Sequence, residues 1–153
     1  MTVSADIKPI GWRAKVGVIV PPSNTVNEAE FNRVAPDGVS FHFTRSPLHA
    51  DPANDGFKQM LGDVKNAMGD LSACRVDYAT YACTAGSMAC PTDLLLGTMS
   101  EAGNVSANSS AEAFLAALAA PCAPGAALAA LAFASLAFAA FAVLGGFGGL
   151  GPR

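Results

Sequence analysis

A cysteine at the end of a short apolar segment is the residue best placed in this chain for covalent chemistry. Cys83 follows residues 76–82, a predicted buried strand, and precedes Thr84, Ala85 and Gly86. In an open α/β sheet, ligands bind beyond the carboxyl ends of the strands. Small residues after the cysteine leave backbone N–H groups open to hold a carboxylate or to stabilise a thiolate. A thiolate is an effective nucleophile, or a base for carbon acids. The alternative is that Cys83 is a small buried hydrophobic residue.

A second group of candidate residues follows another apolar segment. Residues 15–20 are rich in β-branched side chains, Pro21-Pro22 ends this run, and Asn24 and Thr25 come next. A side-chain amide and the N-terminus of a helix both donate hydrogen bonds to an anion without carrying a titrating charge. Asn24 and Thr25 equally suit the capping of the following helix, and the two roles are compatible. The sequence therefore predicts two strand ends whose polar residues face one pocket.

Composition limits the class of partner and the redox compartment. The 153 residues fit one domain, and a net charge of −3 argues against a nucleic-acid partner. The N-terminal residues contain Asp6 and Lys8 and no apolar core, so we expect no secretory signal and a cytoplasmic location. There the four cysteines stay reduced. Cys83 and Cys90 do not have C-x-x-C spacing and no histidine pair completes a zinc set, so no metal is predicted.

Alternating apolar segments predict strands and helices in the order of βαβ units. Such units have right-handed crossovers and build a parallel sheet, so the expected fold class is α/β. The sequence also predicts a short helix or loop at 93–99 and a strand after 103–105. It further predicts a helix at 111–120 whose Phe114, Leu115 and Leu118 side chains point inward. The predicted strands are 15–20, 39–44 and 76–82, and the predicted helices between them are 25–34 and 57–71.

Several other polar or reactive side chains receive a structural interpretation. Tyr78 and Tyr81 alternate with buried positions on the third strand, which is typical of packing residues. Cys74 and Cys90 flank the cysteine segment, and we interpret both as structural.

The composition changes abruptly near the C-terminus. Residues 113–152 carry no charge and consist mostly of Ala, Leu, Phe and Gly. By length, residues 125–150 could span a bilayer, although alanine is only weakly membrane-seeking. Low-complexity sequence of this kind also arises when GC-rich DNA is read out of frame, and we favour that interpretation. The predicted organisation is therefore a globular part at 11–120 and a helical or disordered tail at 121–153.

Two motifs resemble a known enzyme family. Residues 17–25, GVIVPPSNT, followed by Glu28, resemble the first strand and loop of maleate cis–trans isomerases. Residues 81–87, YACTAGS, resemble their first cysteine loop. These enzymes are in the cofactor-independent aspartate/glutamate racemase superfamily, with arylmalonate decarboxylase and ectoine-utilisation relatives. The resemblance extends over residues 11–118 and implies a flavodoxin-like half-domain, the first of two similar α/β halves.

The resemblance also implies roles for the site residues. Cys83 would attack the double bond of a small dicarboxylate such as maleate, and the adduct would rotate about its new single bond. Asn24 and Thr25 would hold a substrate carboxylate, and the N–H groups of residues 84–86 would hold charge. The resemblance implies neither a metal nor an organic cofactor. Cys122 does not match the second cysteine loop, so we expect this chain alone to have little or no activity.

Two other functions stay open from the sequence. The first is a racemase or decarboxylase of the same superfamily, acting as a homo-oligomer in which a partner chain provides the second acid. The second is a binding module that residues 125–150 anchor in a membrane.

Overall fold

The computed structural model describes residues 8–49 and 56–119, which form a four-stranded parallel sheet with helices on both faces. The strands have the spatial order β2-β1-β3-β4, which is the order of flavodoxin-like sheets. The elements are β1 (Ala14–Val20), α1 (Asn27–Val34), β2 (Val39–Arg45), α2 (Gly56–Ala73), β3 (Tyr78–Tyr81), α3 (Thr84–Ala89), α4 (Thr92–Gly103), β4 (Ser106–Ser109) and α5 (Ser110–Ala119).

The order in which strands are added to the sheet reverses between the two central strands, β1 and β3. From β1 the chain moves to β2 on one side, and β3 then pairs with β1 on the other side. Ile19 of β1 is level with Tyr81 of β3. In doubly wound folds, the crevice at such a reversal lies beyond the carboxyl ends of the two flanking strands. The predicted α/β class with a parallel sheet is confirmed, and the reversal places the ends of β1 and β3 next to each other.

The main core lies between the sheet and the helices α2 and α4. Helix α2 buries one apolar face, with Met60, Val64, Met68 and Leu71 at most 2% exposed and Leu61 partly buried. Burial of each such side chain contributes about 1.5–3 kcal/mol. Gly17 of β1 lets α2 approach closely, since a Cβ there would lie 2.8 Å from Leu71 Cδ1. This packing fixes β1 and β3 from one face.

Helix α1 packs on the opposite face of the sheet, over β2. The Phe31 ring makes edge-to-face contacts with Phe41 and Phe43, at centroid distances of 5.0 and 5.9 Å. Such aromatic pairs add to the burial of their area. Helices on opposite faces are what right-handed crossovers require when the strand order reverses.

Two expectations differ from the structure. The segment after Cys83, predicted as a loop of small residues, is the helix α3, because Cys83 itself caps its N-terminus. Leu115 of α5, predicted to point inward, is 62% exposed; the side chains of Phe114 and Leu118 lie outside the described residues. The same holds for the tail at 121–153. Within residues 8–49 and 56–119, no helix combines the length and hydropathy needed to cross a bilayer.

Candidate active site

Cys83 leaves the sheet at the end of β3 and begins the next helix. Its backbone is extended, with φ −137° and ψ 104°, and it occupies the N-cap position of α3. Its Sγ accepts a hydrogen bond from the Gly86 N–H at 3.4 Å, and its carbonyl accepts one from the Ser87 N–H at 2.9 Å. The thiol therefore takes the place of the oxygen that usually satisfies a free N–H at a helix start.

Tyr81 packs against the first turn of α3. It is 1% exposed, and its hydroxyl and ring lie against Gly86, the residue whose N–H donates to Cys83 Sγ. A Cβ at residue 86 would collide with this hydroxyl and lie 2.9 Å from the Tyr81 Cε1. Gly86 is thus required by close approach. The interpretation of Tyr81 as a packing residue is confirmed by its place in the buried core.

Burial and hydrogen bonding act in opposite directions on the thiol. Burial raises the pKa of Cys83 above its ordinary value of 9.0, while hydrogen bonds from the Gly86 N–H, the Tyr81 hydroxyl and the Ala85 N–H lower it without cancelling the increase. Burial, and then the neighbouring Cys83, raises the pKa of Tyr81 well above 10.0. Both groups are therefore protonated at neutral pH.

Asn24 lies beyond the end of β1 in a turn that its own side chain closes. Its Oδ1 accepts hydrogen bonds from the N–H groups of Val26 and Asn27, at 3.1 and 2.9 Å. This bonding assigns the carbonyl side of the amide, so Nδ2 is the group left to donate outward. The turn delays α1 to Asn27 rather than residue 25. The N-cap of α1 is Val26, without a side-chain cap, so Asn24 closes the turn that leads into the helix rather than occupying the cap itself. Its binding role stays a prediction.

The sheet brings the two predicted motifs to one edge. The Ala82 N–H donates to the Ile19 carbonyl at 2.8 Å, which continues the pairing of β1 and β3 past Tyr81. Cys83 follows directly, at the reversal in strand order described above. In the first turn of α3, Thr84 and Ala85 are half-buried and Gly86 is buried. Thr25, which follows β1, is exposed.

The remaining reactive side chains have other partners. His49 Nε2 lies 2.6 Å from Asp63 Oδ2, and the Ser40 hydroxyl lies 3.0 Å from the ring of His42. Cys90 is buried at the end of α3, as a structural cysteine would be, whereas Cys74 is exposed. In the described part of the chain, no group of three or more His, Cys, Asp or Glu side chains is arranged to hold a metal ion.

The comparisons with known proteins agree with the two motifs. No family model and no curated protein sequence matches the chain. A maleate isomerase from Pseudomonas putida S16, solved with maleate as a variant with one cysteine replaced by alanine, matches with 25% identity and a TM-score of 0.56, over 69% of this chain and 48% of that one. Unliganded arylmalonate decarboxylase matches with 20% identity and a TM-score of 0.57, over 69% of this chain and 44% of that one.

A maleate cis–trans isomerase from Nocardia farcinica also matches, with 22% identity, a TM-score of 0.53 and coverage of 69% of this chain and 47% of that one. The resemblance to maleate isomerases is confirmed by the Pseudomonas putida structure, and the two structures at 20% and 22% identity have the same fold. The chain spans about half the length of the solved structures that it matches.

Proposed function

We propose that this chain carries the nucleophilic part of a cofactor-independent site that adds a cysteine thiolate to the double bond of a small unsaturated dicarboxylate. The observation that carries the proposal is the position of Cys83. Its thiol lies at the reversal between β1 and β3, and its sulfur accepts a hydrogen bond from the Gly86 N–H. A thiolate needs this stabilisation, and an electrophile enters a doubly wound sheet at such an edge.

In the proposed reaction, Cys83 first loses its proton to water. The thiolate then forms an S–C bond to one alkene carbon, and the electron pair of the double bond moves to the other carbon and into its carboxylate. The former double bond is now single and rotates. Return of the electron pair expels the thiolate and leaves the trans isomer, so no atom or electron is gained or lost. Protonation of the carbanion instead leaves a stable thioether.

Asn24 and the first turn of α3 would manage the negative charge. The Nδ2 of Asn24 is left to donate to one carboxylate, because its Oδ1 is used in the turn. Thr25 would assist on the same side. N–H groups at Thr84, Ala85 and Gly86 would hold charge close to the sulfur. Neutral donors suit this task, because they stabilise charge that develops during reaction without requiring a counter-ion.

The test follows maleate, fumarate and the succinyl thioether by proton NMR, with stoichiometric amounts of the chain. We expect the thioether signal and only slow appearance of fumarate, and in Cys83→Ala both should fall to the background rate of an exposed thiol. Cys74→Ala is the matched control, since Cys74 is exposed and precedes β3, whereas Cys83 follows it. Thioether or fumarate formed by Cys83→Ala at the unsubstituted rate contradicts the proposal.

A second candidate is decarboxylation or racemisation by the same thiol. It is favoured by the fold, because arylmalonate decarboxylase matches with a TM-score of 0.57, beside 0.56 for the maleate isomerase. Such chemistry needs a base and an acid on opposite faces of one carbon, and the second would come from a homo-oligomeric partner. Release of CO₂ from an arylmalonate by a dimer, without conversion of maleate, would favour it. The membrane-anchored module depends on residues 125–150, outside the described chain.

A further inference from the structure

Two serine hydroxyls join α3 to the start of α5. Ser87 Oγ lies 3.2 Å from Ser110 Oγ, and it also donates a hydrogen bond to the Thr84 carbonyl at 3.1 Å. A hydroxyl has one proton to donate, and Ser87 uses it on the Thr84 carbonyl, so Ser110 is the donor between the two serines. The hydrogen bonds therefore run in one direction, from Ser110 through Ser87 to the backbone next to Cys83. We call this pair of hydroxyls the serine relay.

Ser87 holds the backbone on both sides of the peptide bond that joins Cys83 to Thr84. Its N–H donates to the Cys83 carbonyl at 2.9 Å, while its hydroxyl donates to the Thr84 carbonyl. Ser87 is 3% exposed, so solvent competes little for these bonds. The same turn directs the Gly86 N–H to Cys83 Sγ at 3.4 Å. The orientation of that turn, and with it the donor to the sulfur, is therefore fixed through Ser87.

Helix α3 needs such an anchor because it has only six residues, well below the length of about 12–15 residues at which an isolated helix becomes stable. The start of α5 is a firm anchor. The Glu112 N–H donates to Ser109 Oγ at 3.3 Å, and the Ser109 N–H donates to the Glu112 carboxylate at 3.2 Å, which is a capping box. Ser109 also belongs to β4, level with Tyr81 of β3. Ser110 follows directly and transmits this fixed position to α3.

We propose that Ser87, anchored by Ser110, is a positioning residue for Cys83, and that the serine relay aligns and polarises the first turn of α3 so that its backbone donors favour the thiolate. Hydrogen bonds in a chain strengthen one another, by about 10–30% per bond. The Thr84 carbonyl that accepts from Ser87 belongs to the same peptide unit as the Ala85 N–H, so this donor is strengthened too. The inference rests on the proposed function only in naming Cys83 as the reacting thiol.

The titratable groups around the relay leave Cys83 as the group that a pH profile reports. Within the described residues, Tyr81 is the titratable side chain that acts on the pKa of Cys83, and no carboxylate or cation shifts it. Burial raises the pKa of Tyr81 well above 10.0 and also raises that of Cys90, at the other end of α3. The Glu112 carboxylate accepts the Ser109 N–H and is unchanged in every variant below.

The test is the pH profile of Cys83 alkylation by iodoacetamide, read by tandem mass spectrometry. Ser87→Ala should raise the midpoint by about half to one pH unit, because a hydrogen bond to a charged group is weakened. A thiolate with a higher pKa is also a stronger nucleophile, so the rate should fall about two- to threefold below the midpoint and rise by a similar factor above it. Because the reagent is not maleate, failure of the relay and failure of maleate addition are observed separately.

The direction of the shift separates a positioning role from a merely structural one. Burial holds the pKa of Cys83 above 9.0. If Ser87 only packs, its loss loosens α3, admits water to the thiol and moves the midpoint down. A midpoint that falls or stays unchanged overturns the proposal. Ser72→Ala is the matched control, because the Ser72 hydroxyl also donates to a carbonyl of its own helix, that of Met68 at 2.8 Å, but lies before β3 at the end of α2. Its profile should coincide with that of the unsubstituted chain.

Substitutions at residue 110 test the relay itself. Ser110→Ala should raise the midpoint by no more than Ser87→Ala does, and the double variant should match Ser87→Ala, because Ser110 acts only through Ser87. Shifts that add in the double variant overturn the proposal. Ser110→Thr retains the hydroxyl and should keep the unsubstituted profile. Ser110 is half-buried at the first position of α5, so this pair of variants decides the matter if Ser87→Ala does not fold. Identical profiles for Ser110→Ala and Ser110→Thr contradict the relay.

Discussion

The chain leaves the sheet at the ends of β1 and β3 by the same device, with opposite consequences. At β1, the Asn24 Oδ1 accepts two backbone N–H groups of the following turn. At β3, the Cys83 Sγ takes a similar role and accepts from the Gly86 N–H. Asn24 is neutral and half-buried, and it retains a free NH₂ group. Cys83 is buried and titratable, so its cap is also a potential nucleophile.

The two strand ends use one local solution with acceptor atoms of different chemistry. Both side chains satisfy free backbone donors, which is a structural need. What differs is the acceptor: an amide oxygen has no accessible ionisation, whereas a sulfur that accepts the same donors is stabilised as a thiolate. A change at the end of one strand, β1 or β3, can be compared with the unchanged end of the other.

The largest effect should come from high pH, which acts only at the β3 end. Burial raises the pKa values of Cys83, Tyr81 and Cys90, so the folded chain holds these protons more tightly than the unfolded chain. Their contribution to stability is complete below the unfolded thiol pKa of about 9 and is lost as the pH rises through the folded values. The thermal midpoint should therefore be lower at about pH 10.5 than at about pH 8.

Cys83→Ser should remove part of this pH dependence, since a serine hydroxyl does not ionise in this range. Cys74→Ser is the control, because that exposed thiol should leave the slope unchanged. A thermal midpoint that rises above about pH 9 would show that the buried acids do not control this end of the sheet.

Residue 86 should give the next largest effect. Gly86→Ala forces its methyl group into the Tyr81 hydroxyl and ring, which should cost about 1–3 kcal/mol in the free energy of unfolding. Gly97→Ala in α4 is the matched control, since a Cβ there meets nothing within 4 Å. That change should stabilise the chain by about 0.5–1 kcal/mol. Urea unfolding of both variants measures the difference, and equal effects would refute the close packing around Cys83.

Two substitutions at Asn24 should separate its role as an acceptor in the turn before α1 from its proposed role as a donor to a carboxylate. Asn24→Ala removes the acceptor and should cost about 1 kcal/mol in stability. Asn24→Asp keeps an acceptor at the start of α1, so stability should be nearly unchanged, but the NH₂ donor is replaced by a negative charge. Maleate bound at the site should protect Cys83 from an added alkylating reagent. In Asn24→Asp this protection should fall at least about tenfold. Full protection in Asn24→Asp would limit Asn24 to capping.

The smallest effect should come from the ion pair between α1 and the end of β2. Arg45 Nη2 lies 3.3 Å from Glu28 Oε1, and the two side chains are 38% and 49% exposed. Solvent screens such pairs, so Glu28→Gln should cost less than about 0.5 kcal/mol. Urea unfolding in low and high salt tests this. A loss above about 1 kcal/mol would mean that the pair holds the Asn24 turn in place.

The sequence predicts the sheet and its two polar ends because both depend on local signals. Apolar runs identify β1 and β3, and parallel topology follows from the helical segments between the strands. The six-residue helix α3 carries no period long enough to detect, so its segment was expected to be a loop. The inward placement of Leu115 was wrong because α5 alone does not determine which face is covered. The close approach of Tyr81 to Gly86 needed tertiary geometry, because nothing in the local sequence shows which ring lies over the first turn of α3.

The most direct test of the central claim is to locate the adduct that maleate forms on this chain. After incubation with maleate and proteolysis, tandem mass spectrometry compares the occupancy of Cys83 with that of Cys74, which reports the background reaction of an exposed thiol. We predict a succinyl thioether on Cys83 that forms faster than on Cys74 and decreases in Asn24→Asp. Modification of Cys74 alone, or equal modification of both, would contradict Cys83 as the nucleophile at this edge of the sheet.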